Sequence, residues 1–303
     1  MTTFVSGPVT VSVPATSANL GPGYDAFGLA LDHRDTVTVE VVDRPGVEIS
    51  VSGEGEATVP LDERHLVHRS MAAAFAHMEC TLPGLRLTCT NVVPHARGLG
   101  SSSAAIVAGV SAARALVGGG SLLMDDDAVF ALAAELEGHP DNVAPAMYGG
   151  FTVAWREGDR FRATRLGVDP RVEAVAFVPP DGVETAVARG LLPATVPHAD
   201  AAANAGRAAL LVAALGHQPE LLLAATEDRL HQDYREPAMP ASLALVRELR
   251  ADGLPAVVSG AGPTVLVLTG GAERDAVAAR VPGGWSVLSL AVDPDGARVA
   301  LPA

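Results

Sequence analysis

The stretch Pro94-His95-Ala96-Arg97-Gly98-Leu99-Gly100-Ser101-Ser102-Ser103-Ala104-Ala105 decides how the chain is read. Before it, Leu85 to Thr90 alternates as a half-buried strand does. After it, the small residues from Ser101 to Val117 predict a helix that packs closely on a sheet and stops at Gly118-Gly119-Gly120. Between the two lies a glycine-rich loop feeding a helix start. The first turn of a helix carries unpaired N–H groups and the positive end of the helix dipole, so it attracts anions. Gly98 and Gly100 let the backbone close around a phosphate, and three serine hydroxyls can reach phosphate oxygens or a metal ion.

Composition narrows the chemistry. The 303 residues contain no lysine, so every fixed side-chain cation is an arginine. A Walker-type loop, which needs a lysine on the terminal phosphates, is excluded, and so is Schiff-base chemistry. The net charge of −14 argues against a nucleic acid or an anionic membrane as partner. Two unpatterned cysteines, Cys80 and Cys89, and the lack of a signal-like N-terminus or a membrane-length apolar run predict a cytoplasmic protein. There is no Gly-x-Ser-x-Gly elbow and no His-Glu-x-x-His pair. The loop also lacks the third glycine and the distal acid of a dinucleotide fingerprint.

Working outward, Val9–Val13 reads as a strand entering the turn-rich loop Pro14–Gly23. Strands are expected at 36–42 and 47–51, joined by Arg44-Pro45-Gly46 in the manner of a hairpin, and a helix over 66–78. Asp125–Asp127 opens a helix with Val129, Leu132, Ala133 and Leu136 on one face, ending at Glu137-Gly138. A strand follows at 151–155. A second unit is expected from about residue 158, with strands at 172–178, 255–258 and 264–268 and helices at about 201–215, 219–230 and 240–251. The result is an α+β chain of two domains, 1–157 and 158–303, with a cleft between them.

Several side chains could carry chemistry there. Glu137 sits in the last turn of a helix, against the dipole, a place that fits a metal ligand and a solvated helix-end carboxylate equally well. Glu135 competes for that role but lies on the opposite side of the helix. Gly138-His139-Pro140-Asp141-Asn142 follows as a dense polar cluster, and Asn19 and Asp25 sit in the first loop. Arg189 and Arg235, near Thr185 and His231, could together grip a substrate carboxylate.

Three motifs resemble the GHMP family of small-molecule kinases: Pro14-Ala15-Thr16-Ser17-Ala18-Asn19-Leu20-Gly21-Pro22-Gly23-Tyr24-Asp25, the run Pro94 to Ala105, and Ser259-Gly260-Ala261-Gly262-Pro263-Thr264. The first motif, extended through Leu31, and Glu137 to Val143 are similar to the members that phosphorylate L-homoserine. The resemblance implies a two-domain GHMP kinase fold. Its N-terminal domain is like ribosomal protein S5 domain 2, with a left-handed βαβ crossover, and its C-terminal domain is ferredoxin-like. It implies ATP and Mg²⁺, transfer of the γ-phosphoryl group to the L-homoserine hydroxyl on the way to threonine, and a homodimer. By the same resemblance, Pro94, His95, Ala96, Arg97, Gly98, Leu99, Gly100, Ser101, Ser102, Ser103 and Ala104 would hold the triphosphate. Ser101 or Ser102 with Glu137 would hold Mg²⁺. Asn19, Asp25, Asp141, Asn142, Thr185, Arg189, Arg235 and Gly262 would line the acceptor pocket.

Where the family has Asn before Leu-Val on its adenine side, this chain has His65-Leu66-Val67, so His65 takes that place. The short span between Glu137 and Asp141 keeps Glu135 in play as a metal ligand. For the transfer, Arg97 would stabilise the moving group. Either Asp141 is a general base, or Asn142 orients the hydroxyl and its proton passes to a phosphate oxygen. A mevalonate-, sugar- or isoprenoid-type GHMP kinase, or a non-catalytic nucleotide sensor, are the alternatives.

Overall fold

The computed structural model describes residues 2–302. Strands β1 (Val9–Ala18), β2 (Phe27–Val42), β3 (Val47–Gly53), β4 (Gly84–Asn91), β5 (Phe151–Glu157) and β6 (Arg160–Leu166) share the first sheet. Helices α1 (Leu66–His77), α2 (Ser101–Leu116), α3 (Gly120–Leu123), α4 (Asp126–Glu137) and α5 (Val143–Tyr148) belong to the same half. The second half runs β7 (Val172–Val178), α6 (Thr185–Gly190), α7 (His198–His217), α8 (Leu222–Ala225), α9 (Pro240–Ala251), β8 (Ala256–Val258), β9 (Val265–Gly270), α10 (Arg274–Ala278) and β10 (Ser286–Ala291). A last strand, β11 (Arg298–Ala300), returns to pair with β1.

The second sheet is antiparallel with order β10-β7-β9-β8, which in chain order within the unit is 4-1-3-2. With helices between β7 and β8 and between β9 and β10, it is the βαββαβ arrangement of a ferredoxin-like domain, as expected. Small residues let α2 lie flat on the first sheet: Ala104, Ile106, Val107, Ala108, Val110, Ala112 and Ala113 are buried there with Val11, Val37 and Leu87. Gly109 lies so close to the Val67 carbonyl and Ser70 of α1 that a Cβ would clash.

Four expectations need correction. The turn at Arg44-Pro45-Gly46 does not close a hairpin: β3 pairs in parallel with β4, and β4 lies between it and β2. Turn residues dictate that the chain reverses, not which strand it then meets. The inner place goes to the strand that buries more, and Leu85, Leu87 and Cys89 of β4 are buried whereas no residue of β3 is. Next, β1 runs on to Ala18 because Pro14, which has no N–H to donate, sits at a bulge where the register with β2 shifts.

The proposed helix at 219–230 is a 3₁₀ turn over Pro219–Leu221 followed by the single turn α8. Its end is set from outside, by Arg250, which donates to Thr226 Oγ1 and to the Leu223 carbonyl at 2.8 Å each. Finally, the boundary at 157/158 falls inside the β5–β6 hairpin. Sheet membership changes only between Leu166 and Val172, and β11 belongs with the first sheet.

Candidate active site

The loop into α2 owes its shape to what its carbonyls do. Those of Ala96, Arg97, Gly98 and Leu99 accept, in turn, from Val183 N (3.1 Å), Thr264 N (3.3 Å), Ser259 Oγ (2.6 Å) and Thr16 N (3.0 Å). Four successive carbonyls are thus tied to β1 and to the second half. The N–H groups of Gly98 to Ser103 have no backbone carbonyl partner among the described residues. Gly100, the N-cap of α2, has φ 71° and no side-chain cap, which leaves the helix start open to an anion. A Cβ at Gly98 would strike the Ser259 carbonyl, and one at Gly100 would strike Thr16 Oγ1. These two glycines are steric requirements.

The loop lies between two cavities that share Ser101 and Ser102. One, of about 550 Å³, is the inter-domain cleft. Of the residues predicted for the site, it is lined by Asn19, Ala96 to Ser102, Glu137, Asp141, Asn142, Thr185, Arg189 and Arg235. His139, Gly260 and Ala261 complete the lining. The other, of about 870 Å³, is walled mainly by Val37, Val59, Pro60, Leu66, Val67 and alanines of α2, with Asp35, His65 and His95 among its polar groups. His65 is buried and its Nδ1 has no partner. Burial, with His68 and His95 nearby, holds its pKa below the ordinary value.

Glu137 reaches the cleft at the open end of α2. Its Oε1 accepts from Ser102 Oγ at 2.5 Å and Ser103 Oγ at 2.8 Å. Glu135 lines a different cavity, with His77 and Arg160, away from Ser102 and Ser103. A carboxylate and hydroxyl oxygens beside an uncapped helix start are the hard donors Mg²⁺ takes. The described residues hold no cluster of three or more metal-binding side chains, so an ion there would complete its shell from phosphates and water, as Mg²⁺ usually does.

Asp141 is buried, and its Oδ1 accepts from His139 Nδ1 at 2.8 Å and from Asn142 N at 2.9 Å. Burial works against the charged form of His139. The hydrogen bond and charge of Asp141, with Glu137 beyond, prevail and raise its pKa. Asn142 Oδ1 accepts from Thr16 Oγ1 at 2.8 Å, which orients the amide and fixes where its N–H groups point. Thr16 fixes both that amide and Leu99, a role sequence reasoning missed; its place inside the first motif was the only signal.

The two arginines differ. Arg189 is half-buried and forks onto Asp25 (2.7 and 3.0 Å), with Nη1 also donating to Tyr24 OH at 2.9 Å. Asp25, through this hydrogen bond, raises the Arg189 pKa. Arg235 is 1% exposed and makes no ion pair among the described residues. Its Nη1 donates to the Gly260 carbonyl at 2.9 Å and to His231 Nδ1 at 3.2 Å, and its Nε has no partner. A buried guanidinium without a carboxylate is costly unless an anion joins it.

Three predicted residues take other roles than expected. Arg97 does not offer its guanidinium to the transferring group: Nε, Nη1 and Nη2 donate to the carbonyls of Pro179, His95 and Pro180 and so clamp the loop to the second half. Gly262 backs onto Met239 instead of the cleft, whose wall there is Gly260 and Ala261. Asp25 is outside the lining and acts through Arg189 and, by its own N–H, on Asn19 Oδ1 at 2.9 Å.

The GHMP kinases N terminal domain model matches residues 65–150, and the GHMP kinases C terminal model matches residues 208–286. A Streptomyces avermitilis protein named homoserine kinase is 57% identical over 98% of this chain and 97% of its own length. A Streptomyces coelicolor protein of the same name is 55% identical over 98% and 96%. The crystal structure of homoserine kinase from Cytophaga hutchinsonii superposes with a TM-score of 0.81 at 27% identity, covering 97% of both chains. Both domain models, near-complete coverage at more than half identity and a phosphate loop between two cavities lead to one conclusion: the chain belongs to the GHMP kinase family.

Proposed function

We propose that this chain transfers the γ-phosphoryl group of ATP to the side-chain hydroxyl of L-homoserine, giving O-phospho-L-homoserine for threonine biosynthesis. One observation carries the reading. A loop whose free N–H groups suit a polyphosphate lies in the same cleft as Arg235, a buried cation with no carboxylate of its own. An acceptor with a carboxylate answers that cation, and the relatives named homoserine kinase support the choice.

In this reading the apolar cavity takes the nucleoside beside His65, and the loop and α2 start take the phosphates. Arg235, with Arg189 near it, takes the homoserine carboxylate, while Asn19, Asp141 and Thr185 surround the rest. Glu137 and Ser102, with Ser101 beside them, would hold Mg²⁺, which supplies charge neutralisation on the phosphate oxygens when bound. Asn142 donates an amide N–H to the hydroxyl oxygen and thereby aims it. Its own oxygen is held by Thr16, and a neutral amide is too weak a base to take the proton. His139 and the Asn142 N–H hold Asp141 through Oδ1, and the hydroxyl proton passes to a phosphate oxygen as the bond forms.

Among the described residues no helix is long and apolar enough to cross a membrane. We place the activity in the cytoplasm, in a homodimer, without nucleic acid or membrane partners. The test is phosphorylation of L-homoserine against mevalonate at fixed ATP. Product with homoserine alone is expected; turnover of mevalonate instead, or ATP binding without product, overturns the assignment.

A further inference from the structure

His231 is fully buried, lies outside the cleft lining, and is not needed by the transfer just described. Its two ring nitrogens have unlike partners. Nε2 is 2.8 Å from the Gly21 carbonyl, which only accepts, and Nδ1 is 3.2 Å from Arg235 Nη1, which only donates. These partners are compatible with one form alone, the neutral ring with its proton on Nε2. The ring also stacks on Tyr24 at 5.2 Å between centroids, and Tyr24 in turn lies 5.7 Å from the Arg235 guanidinium. His231 itself is held by Asp228, whose Oδ2 accepts from the N–H groups of His231 (3.1 Å) and Gln232 (2.7 Å).

We propose that His231 is a positioning residue that aims Arg235 at the substrate carboxylate through its Nδ1 lone pair, and that its protonation releases that aim. The inference rests on the functional reading above for its substrate. A second proton would go on Nδ1. It would replace the acceptor of Arg235 with a donor and set two cations 3.2 Å apart in a buried place. The groups that face the ring are Arg235, Asp228 at 3.7 Å from Nε2, Tyr24 and, farther off, Asp25. Burial, seconded by Arg235 and opposed by Asp228, keeps the His231 pKa below the ordinary value. The release therefore occurs on the acid side of the usual histidine range.

Two variants and one analogue test this. Glutamine can donate to Gly21 and accept from Arg235, whereas phenylalanine can do neither. His231→Phe should raise the KM for homoserine about tenfold or more, the size expected for a hydrogen bond to a charged group, with the KM for ATP unmoved. His231→Gln should restore it to within about threefold and abolish the acid-side fall in kcat/KM for homoserine. The analogue 3-aminopropan-1-ol keeps the hydroxyl and amine but lacks the carboxylate, so its slower turnover should not change between wild type and His231→Phe. Equal losses for both acceptors, or for ATP as well, would mark a structural role and overturn the proposal, as would no loss at all. Should the wild type leave homoserine untouched, the functional reading fails instead, and nitrogen NMR of His231 decides this one. A proton on Nε2 from neutral pH to below pH 6 supports it; a proton on Nδ1 refutes it.

Discussion

The two cavities on either side of the phosphate loop are built on opposite principles. The inter-domain cleft is crowded with charge: Glu137, His139, Asp141, Arg189 and Arg235 line it within a volume of about 550 Å³. The cavity over α2 is larger and mostly aliphatic. Both touch Ser101 and Ser102, so one short segment serves an electrostatic site and an apolar one. In the proposed function the cleft must fix a small polar molecule to within a bond length. That takes hydrogen bonds, each of which needs a second residue behind it, as Thr16 stands behind Asn142. The apolar cavity, as proposed, only has to cover a flat heterocycle, and burial of surface does that without such backing.

If that division is right, the largest effect of a conservative substitution belongs to the cleft. Glu137→Gln keeps the shape and the hydroxyl contacts but removes the charge that would face a metal ion. We expect kcat to fall about 10³-fold, with partial recovery when Mn²⁺ replaces Mg²⁺, measured by steady-state kinetics over a metal titration. A loss under tenfold would mean that Glu137 is only a cap for Ser102 and Ser103.

The arginines break or sharpen the same contrast inside the cleft. Arg235→Met removes a buried cation that no protein carboxylate neutralises, so only substrate binding suffers. The expected rise in KM for homoserine is about 10²-fold, with melting temperature held or raised. Arg189→Met instead strands Asp25, and because that pair is partly solvated the rise should be nearer tenfold and be softened in Arg189→Met with Asp25→Asn. Equal effects of the two single changes would show that the difference in pairing does not matter to the substrate. Asp141→Asn comes next. If the proton passes directly to phosphate, kcat should fall less than tenfold, whereas a general base would cost about 10²-fold or more.

What could be read from the sequence follows the same line between local and distant causes. The loop from Pro94 to Ala104 was legible because glycines, serines and a helix start are neighbours in the chain. Glu137 was legible because a carboxylate at a helix C-terminus contradicts its local field. Hidden were the contacts that cross the molecule. Thr16 meets Asn142 across 126 residues, and β4 takes the place between β2 and β3 with Leu85, Leu87 and Cys89 buried in the core that α1 and α2 share. Arg97 was misread for that reason: beside the phosphate loop it looked like a cation for the phosphates, but the carbonyls of Pro179 and Pro180 come from the other half of the chain. Side chains that touch a ligand carry recognisable types. Those that hold them depend on register and packing, which no short motif encodes.

The smallest expected effect tests the apolar side. His65 is buried next to that cavity, at the N-cap of α1, and its unpartnered Nδ1 is the one polar feature there that departs from the family's asparagine. His65→Asn should change the KM for ATP by no more than a few-fold, the worth of one neutral hydrogen bond, and leave the KM for homoserine alone. It should also change acid stability. The folded-state pKa of His65 lies below its ordinary value of 6.5, so the unfolded chain takes up the proton first. The wild type therefore loses stability as pH falls from about 6.5 towards that lower value, and keeps it above. His65→Asn should flatten that slope in thermal melts between about pH 7 and pH 5. An unchanged slope would show that His65 is solvated in the folded protein, and a raised KM for homoserine would show that the two cavities are not independent. Either result would undo the contrast between a site held by paired polar groups and one held by covered surface.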